Sequence, residues 1–149
     1  KNVHVVGLDD IYDMPVDVYA PCALGATVND QTIERLKCSV IAGAANNQLH
    51  LRKHDQILHD KGILYAPDYV INSGGVMCVG YEFFQLTKNP FSYELNETNL
   101  KNHVAEIENV TMKIFDYAHK HGLPSGEAAD RLAEEIFLSP DLIKTAANS

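Results

Sequence analysis

The apolar positions change period halfway along the chain. In the first half, short β-branched runs stand between polar stretches of helical period. Val3–Val6 reads as a strand, and "VDVYAP", Val16–Pro21, reads as a second that proline ends. "CSVIAGAA", Cys38–Ala45, is a third, apolar throughout, as in a strand covered on both faces. "ILYAP", Ile63–Pro67, is a fourth, and "DYVIN" continues it or forms a short extended piece after Pro67. Between them, Asn29 or Asp30 caps a helix through "DQTIERLK", where Ile33 and Leu36 lie three apart. Gln48–Gly62 forms another, with Leu49, Ile57 and Leu58 on a helical period and Gly62 as its C-cap. Strands alternating with helices predict an α/β domain with a parallel sheet.

The second half is helical. "GGVMCVGYEFFQL" begins at the glycines Gly74 and Gly75 and is apolar nearly all round, which predicts a buried helix. "KNPFSYELNE" is a loop punctuated by Asn89-Pro90. Asn96 or Thr98 starts a long helix to about His121. Leu100, Val104, Ile107, Thr111, Ile114 and Ala118 repeat along it at alternating spacings of four and three, one stripe with a single polar member. Gly122 ends that helix. "LPSGEAADRLAEEIF" gives a final one, with Ser125 or Gly126 near its start and Ala129, Leu132, Ala133 and Ile136 facing in. The last dozen residues read as a frayed tail. The α/β half is thus expected over residues 1–75 and the helical part over 76–138.

Composition narrows this picture. At 149 residues and 46% apolar content, the chain can bury the core of one domain. A net charge of −8 from scattered acids argues against a nucleic-acid or anionic-membrane surface. Cys22, Cys38 and Cys78 stand far apart with no CxxC, which argues against a disulfide framework or a zinc ribbon. A reducing compartment, most simply the cytoplasm, fits that usage. No apolar run approaches the roughly 18 residues of a membrane span, and no signal peptide is visible at the start. The chain opens inside a strand pattern without an initiator methionine, as expected for a processed chain or, the preferred expectation, a piece of a longer protein.

In an open parallel sheet, ligands collect beyond the carboxyl ends of the strands. Three such ends are expected here: Pro21–Gly25, Gly43–Asn47 and Asn72–Gly75. Small residues dominate all three, and asparagine marks the second and third. Small side chains let a flat ligand approach the backbone. A carboxamide offers one acceptor and two donors, which suits a nicotinamide ring or a substrate amino or carboxylate group. The same residues also make ordinary strand-to-helix turns. His50 and His54 lie four apart and read as a solvated pair rather than a zinc site, since no further ligands accompany them. His119 and His121 close a helix, where a cation complements the dipole. Cys22 is either reactive or a small apolar filler. Asp68 is either a buried acid or the cap of the following turn. The chain contains neither G-x-G-x-x-G nor G-x-x-x-x-G-K.

Long blocks then carry a resemblance. "DVYAPCALGATVNDQTIERLKCSVIAGAANNQL", "GILYAPDYVINSGGVMCVGYEF" and "AADRLAEE" resemble the cofactor domain of the NAD-dependent amino-acid dehydrogenases. The likeness is greatest to the leucine, phenylalanine and valine branch, leucine dehydrogenases in particular, and runs from about Asp10 to Phe137. The resemblance implies the C-terminal part of a Rossmann-like NAD-binding domain followed by closing helices. It implies oxidative deamination of an L-amino acid to the 2-oxo acid and ammonia, with NAD as cofactor, in a homo-oligomeric enzyme. It places the catalytic lysines and aspartate in another domain, so no catalytic group is expected here, and these residues alone are expected to show no turnover and weak or absent NADH binding. By position in the family's motifs, Cys22, Ala23, Ala44, Ala45, Asn46 and Asn72 are expected along the cofactor. Asn72, Val110, Thr111 and Ile114 are expected beside the substrate. Ser73 stands where the family often has alanine or glycine, and "GGVMCV" where it often has "GGVINV". The rival expectation is a non-catalytic half-fold used for protein association, its glycine-rich helix packing against a partner where absent strands leave an open sheet edge.

Overall fold

The computed structural model describes residues 3–138. The tail expected at the carboxyl end lies, apart from Leu138, outside the described residues. Strands β1 (Val18–Tyr19), β2 (Val40–Ile41) and β3 (Leu64–Tyr65) form a parallel sheet in the order β1-β2-β3. Val40 of the central strand pairs with Val18 on one side and Leu64 on the other, and Ile41 likewise with Tyr19 and Tyr65. The α/β class and the parallel order match the expectation, but each strand is far shorter than its apolar run.

The register decides which face is core. Tyr19, Ile41 and Tyr65 lie side by side and are buried with Val28, Ile33, Leu36, Cys38, Leu58 and Ile63. Each fully buried aliphatic side chain in this set contributes about 1.5–3 kcal/mol. Their strand neighbours Val18 and Leu64 are exposed. The sheet is therefore sealed on one face, which corrects the expectation of cover on both. Val3–Val6 forms no strand: it pairs with nothing among the described residues, and Val3 and Val5 stand in solvent.

Residues 36–38 have no regular structure, and residues 30–35 make successive turns instead of a helix. Asn29 does cap them, its Oδ1 accepting from the N–H groups of Gln31 and Thr32. The Thr32 hydroxyl donates to the Thr27 carbonyl and accepts from the Asn29 N–H, which holds the turn on itself. The next helix, α1, spans Lys53–Asp60, later than its sequence pattern began. The residues before it are recruited elsewhere: Val28 N–H bonds the Gln48 carbonyl and His50 N–H bonds the Val28 carbonyl, a one-residue parallel bridge between Val28 and Leu49. Gly62 follows α1 with φ +72°, the left-handed conformation a stop at this point needs.

"DYVIN" is neither strand nor extended piece. It forms the short helix α2, Asp68–Ile71, with Asn72 as C-cap. Pro67 starts it, since a proline lacks only an N–H that a helix start leaves unused. Helix α3 covers Gly74–Leu86, as its sequence suggested, but it is not buried. Only Tyr81 is enclosed, while Val76 (69% exposed), Val79, Phe83 and Leu86 (87%) form an open apolar stripe. One face of α3 meets α4, where Gly74 lies near Val104 and Ile107, and no described residue covers the stripe.

Helix α4, Glu97–His121, begins at Asn96, whose side chain accepts from the Asn99 N–H at 2.9 Å. It ends at Gly122, φ +63°, with Leu123 N–H returning to the Ala118 carbonyl at 3.0 Å. The predicted stripe does face inward: Ile114 and Ala118 are buried against Ala128 and Ala129 of helix α5, Ser125–Phe137. Ile136, expected to face in, is 61% exposed, and Ala128 takes the inward place instead. Helix α5 covers β3, and the Ser125 hydroxyl donates to the Tyr65 carbonyl.

Candidate functional site

The turns after β1 and β2 touch. A Cβ on Gly43 would sit 2.1 Å from the Pro21 carbonyl oxygen and 2.5 Å from its nitrogen, so only glycine allows this approach. Ala45 N–H donates to the Pro21 carbonyl at 2.9 Å. Ala26 N–H donates to the Asn47 carbonyl at 2.7 Å, and Ala26 and Asn47 both hold positive φ. Asparagine tolerates that conformation, whereas alanine adopts it at a cost of about 1 kcal/mol. The two turns are thus welded into one floor.

Helix α2 brings the third piece. Asn72 Nδ2 donates to Asn46 Oδ1 at 2.6 Å and reaches the Ala44 carbonyl at 3.4 Å. The two carboxamides therefore meet above the carboxyl ends of the strands. Asn72 arrives there from a helix end, which corrects the expectation that a strand delivers it. A cleft of about 540 Å³ opens beside the pair, lined by Asn46, Asn47, Asp68, Tyr69, Asn72, Ser73, Gly75 and Val76. Asn72 Oδ1 and Asn46 Nδ2 make no hydrogen bond among the described residues, so one acceptor and one donor group remain for a ligand amide. This pairing of one free acceptor with one free donor group is complementary to a carboxamide on a ligand.

Buried polar groups hold the floor from below. Asp68 is almost fully enclosed, and its Oδ2 accepts from Gln48 N–H at 2.7 Å and from the Tyr65 hydroxyl at 3.0 Å. Burial pushes the Tyr65 phenol up, so it stays protonated and donates. Gln48 Nε2 donates to the Gly43 and Ala45 carbonyls at 2.6 and 3.0 Å. Sequence reading missed Gln48 and Tyr65. The one available signal was a polar group standing within otherwise buried runs.

The remaining expected residues are spread more widely. Cys22 and Ala23 lie exposed on the turn after β1, and Ala45 is buried while Ala44 and Asn46 are open. Val110 is partly exposed and lines a pocket of about 100 Å³ with Val70, Ser73, Met77 and Ile107. Ser73 also lines the larger cleft, so the two adjoin. Thr111 is half-buried and its hydroxyl donates to the Ile107 carbonyl at 2.7 Å. Ile114 lies in the core between α4 and α5, away from both openings.

Elsewhere, His54 is not solvated. It is fully buried, its Nδ1 accepting from Leu51 N–H at 3.0 Å and its Nε2 lying 3.1 Å from Asp30 Oδ1. His50 stacks on it with ring centroids 6.3 Å apart. Asp55 of α1 is buried and accepts from the Glu127 N–H at 3.1 Å, capping α5 from another helix. Burial pushes its carboxyl up, and the N–H groups of Gly126 and Glu127 partly offset that. Among the described residues no cluster of ligating side chains could hold a metal ion, and no helix is long and apolar enough to cross a membrane.

The model of the family Glutamate/Leucine/Phenylalanine/Valine dehydrogenase matches residues 1–136. Leucine dehydrogenase of Thermoactinomyces intermedius is 50% identical over 127 residues, which is 85% of this chain and 32% of that protein. Leucine dehydrogenase of Bacillus subtilis (strain 168) is 48% identical over 134 residues, 90% of this chain and 34% of that protein. The crystal structure of L-tryptophan dehydrogenase from Nostoc punctiforme superposes with a TM-score of 0.75 at 44% identity, covering 85% of this chain and 36% of that one. The chain spans about a third of the length of the curated relatives it matches.

Proposed function

The chain belongs to the Glutamate/Leucine/Phenylalanine/Valine dehydrogenase family, and from that premise we propose that it is part of an NAD-dependent amino-acid dehydrogenase. The reaction is oxidative deamination of an L-amino acid to its 2-oxo acid and ammonia. NAD supplies the hydride acceptor. Residues 1–149 form part of the cofactor-binding domain, with an α/β half over 1–75 and closing helices over 76–138, and the catalytic groups lie outside them. The intact protein is a cytoplasmic homo-oligomer.

The observation that carries this reading is the Asn46–Asn72 carboxamide pair, 2.6 Å apart at the strand ends. Asn72 would orient the nicotinamide amide or the substrate, and Asn46 would fix Asn72. Cys22, Ala23, Ala44 and Ala45 would let the cofactor lie against the backbone. Val110, Thr111 and Ile114 would shape the substrate side of α4, directly or through packing. A second reading, a non-catalytic module for association, draws support from the open apolar stripe on α3.

The test is a panel of L-amino acids with NAD and the full-length protein, followed by the absorbance of NADH. Leucine, valine or phenylalanine should give turnover, and Asn72→Ala should lower kcat/KM at least about tenfold, the loss of one well-aligned hydrogen bond. No turnover with any amino acid, together with no NADH binding, would leave the association reading standing.

A further inference from the structure

We infer that Gln48 and Asp68 are positioning residues for the Asn46–Asn72 pair. This inference rests on the reading of that cleft as the cofactor and substrate site.

The connections form a closed ring. Gln48 grips the turn that carries Asn46 from inside, through its two bonds to the Gly43 and Ala45 carbonyls. Its backbone N–H is bound by Asp68. Asp68 is the first residue of α2, and its carbonyl accepts from the Asn72 N–H at 2.9 Å. The ring closes where Asn72 Nδ2 meets Asn46 Oδ1. The Tyr65 hydroxyl fixes Asp68 from β3, accepting from the Asp68 N–H at 3.2 Å while donating to its carboxylate.

Packing alone does not call for this arrangement. A buried carboxylate and a buried carboxamide cost more to desolvate than an apolar pair of the same size. Gln48 even leaves its Oε1 without a hydrogen-bond partner. What the polar groups supply is direction. Apolar contacts let a turn slide, whereas short bonds to two carbonyls and to a helix start fix the Asn46 and Asn72 backbones relative to each other. The carboxamides then meet in one geometry before any ligand arrives. A displacement of about 1 Å at such a site can cost up to roughly 10²-fold in rate.

The experiment is a double-mutant cycle in the full-length protein. Gln48→Met keeps the volume and removes the side-chain donors. Tyr65→Phe is a smaller cut in the same ring and serves if Gln48→Met does not fold. Each is combined with Asn72→Ala, and the readouts are the NADH dissociation constant, kcat and KM for the best amino acid, and the melting temperature. Gln48→Met should lower kcat/KM about tenfold in the parent but by less than about twofold in the Asn72→Ala background, because the group it positions is gone. Tyr65→Phe should follow in the same direction. Equal losses in both backgrounds, or a lower melting temperature with unchanged kcat/KM, would overturn the positioning role. If Asn72→Ala alone changes neither NADH affinity nor kcat/KM, the reading of the cleft has failed, and the inference falls with it.

Discussion

Replacing Gly43 by alanine tests whether the two turns are packed as closely as described. The added Cβ would lie 2.1 Å from the Pro21 carbonyl oxygen, 2.5 Å from its nitrogen and 2.7 Å from its carbonyl carbon. All three atoms are backbone, and the nitrogen belongs to a ring, so no side-chain rotation relieves the clash. Overpacking of this kind costs about 1–3 kcal/mol. Separating the turns also breaks the bond from Ala45 N–H to Pro21, adding about 1 kcal/mol. The total is about 2–4 kcal/mol. With a urea slope of about 2 kcal/mol per molar, the midpoint of unfolding should fall by about 1–2 M. Gly80→Ala is the control, because nothing lies within 4 Å of its would-be Cβ in the middle of α3. It should gain about 0.5–1 kcal/mol from helix propensity. A Gly43→Ala midpoint equal to that of the parent would show that the turns are not in contact.

Two further outcomes follow from the buried titratable groups. Asp55 is raised by burial, so the folded state binds its proton more tightly than the unfolded state does. Stability should therefore decline as pH rises from the ordinary carboxylate value of about 3.9 through the raised folded one. Asp55→Asn removes that titration, so urea unfolding across this window should show the parent gaining on the variant as the solution is acidified, and a constant difference would refute the burial argument. His54 accepts a backbone N–H at Nδ1, which leaves the proton on Nε2 facing Asp30. Long-range nitrogen–proton NMR spectra should show the neutral Nε2–H tautomer, and an Nδ1–H signal would contradict the hydrogen bond.

Much of the local structure was legible because it depends on near neighbours. The long helix from Asn96 to Gly122 has its cap, its stripe and its left-handed stop within its own sequence. The same holds for the start of α5 near Ser125 and for the Gly62 stop after α1. What was misread depends on partners distant in sequence. Gln48–His50 carries a helical pattern, but Val28 claims its backbone and the helix begins later. "DYVIN" has strand-like residues, but Asp68 turns the chain at once because its carboxylate binds Gln48 and Tyr65. His54 looks like a surface residue of a polar helix, and its burial comes from the turn at Asn29–Asp30 folding over it.

The site divides in the same way. Residue types at the strand ends marked Ala44, Asn46 and Asn72, since small side chains and carboxamides are chemical properties that a sequence displays. Their meeting at 2.6 Å is a tertiary fact, set by Gly43 against Pro21 and by the buried ring through Gln48 and Asp68. The apolar character of α3 was equally plain, yet its exposure was not. A one-dimensional pattern records how much apolar surface a helix carries, and only the arrangement of its neighbours decides which part of that surface is covered. By itself, then, the sequence determined the α/β class, the family and the kinds of side chain offered to a ligand. The tertiary structure alone decided where those side chains point, because hydrogen bonds and close contacts between segments some twenty residues apart have no signature in local spacing.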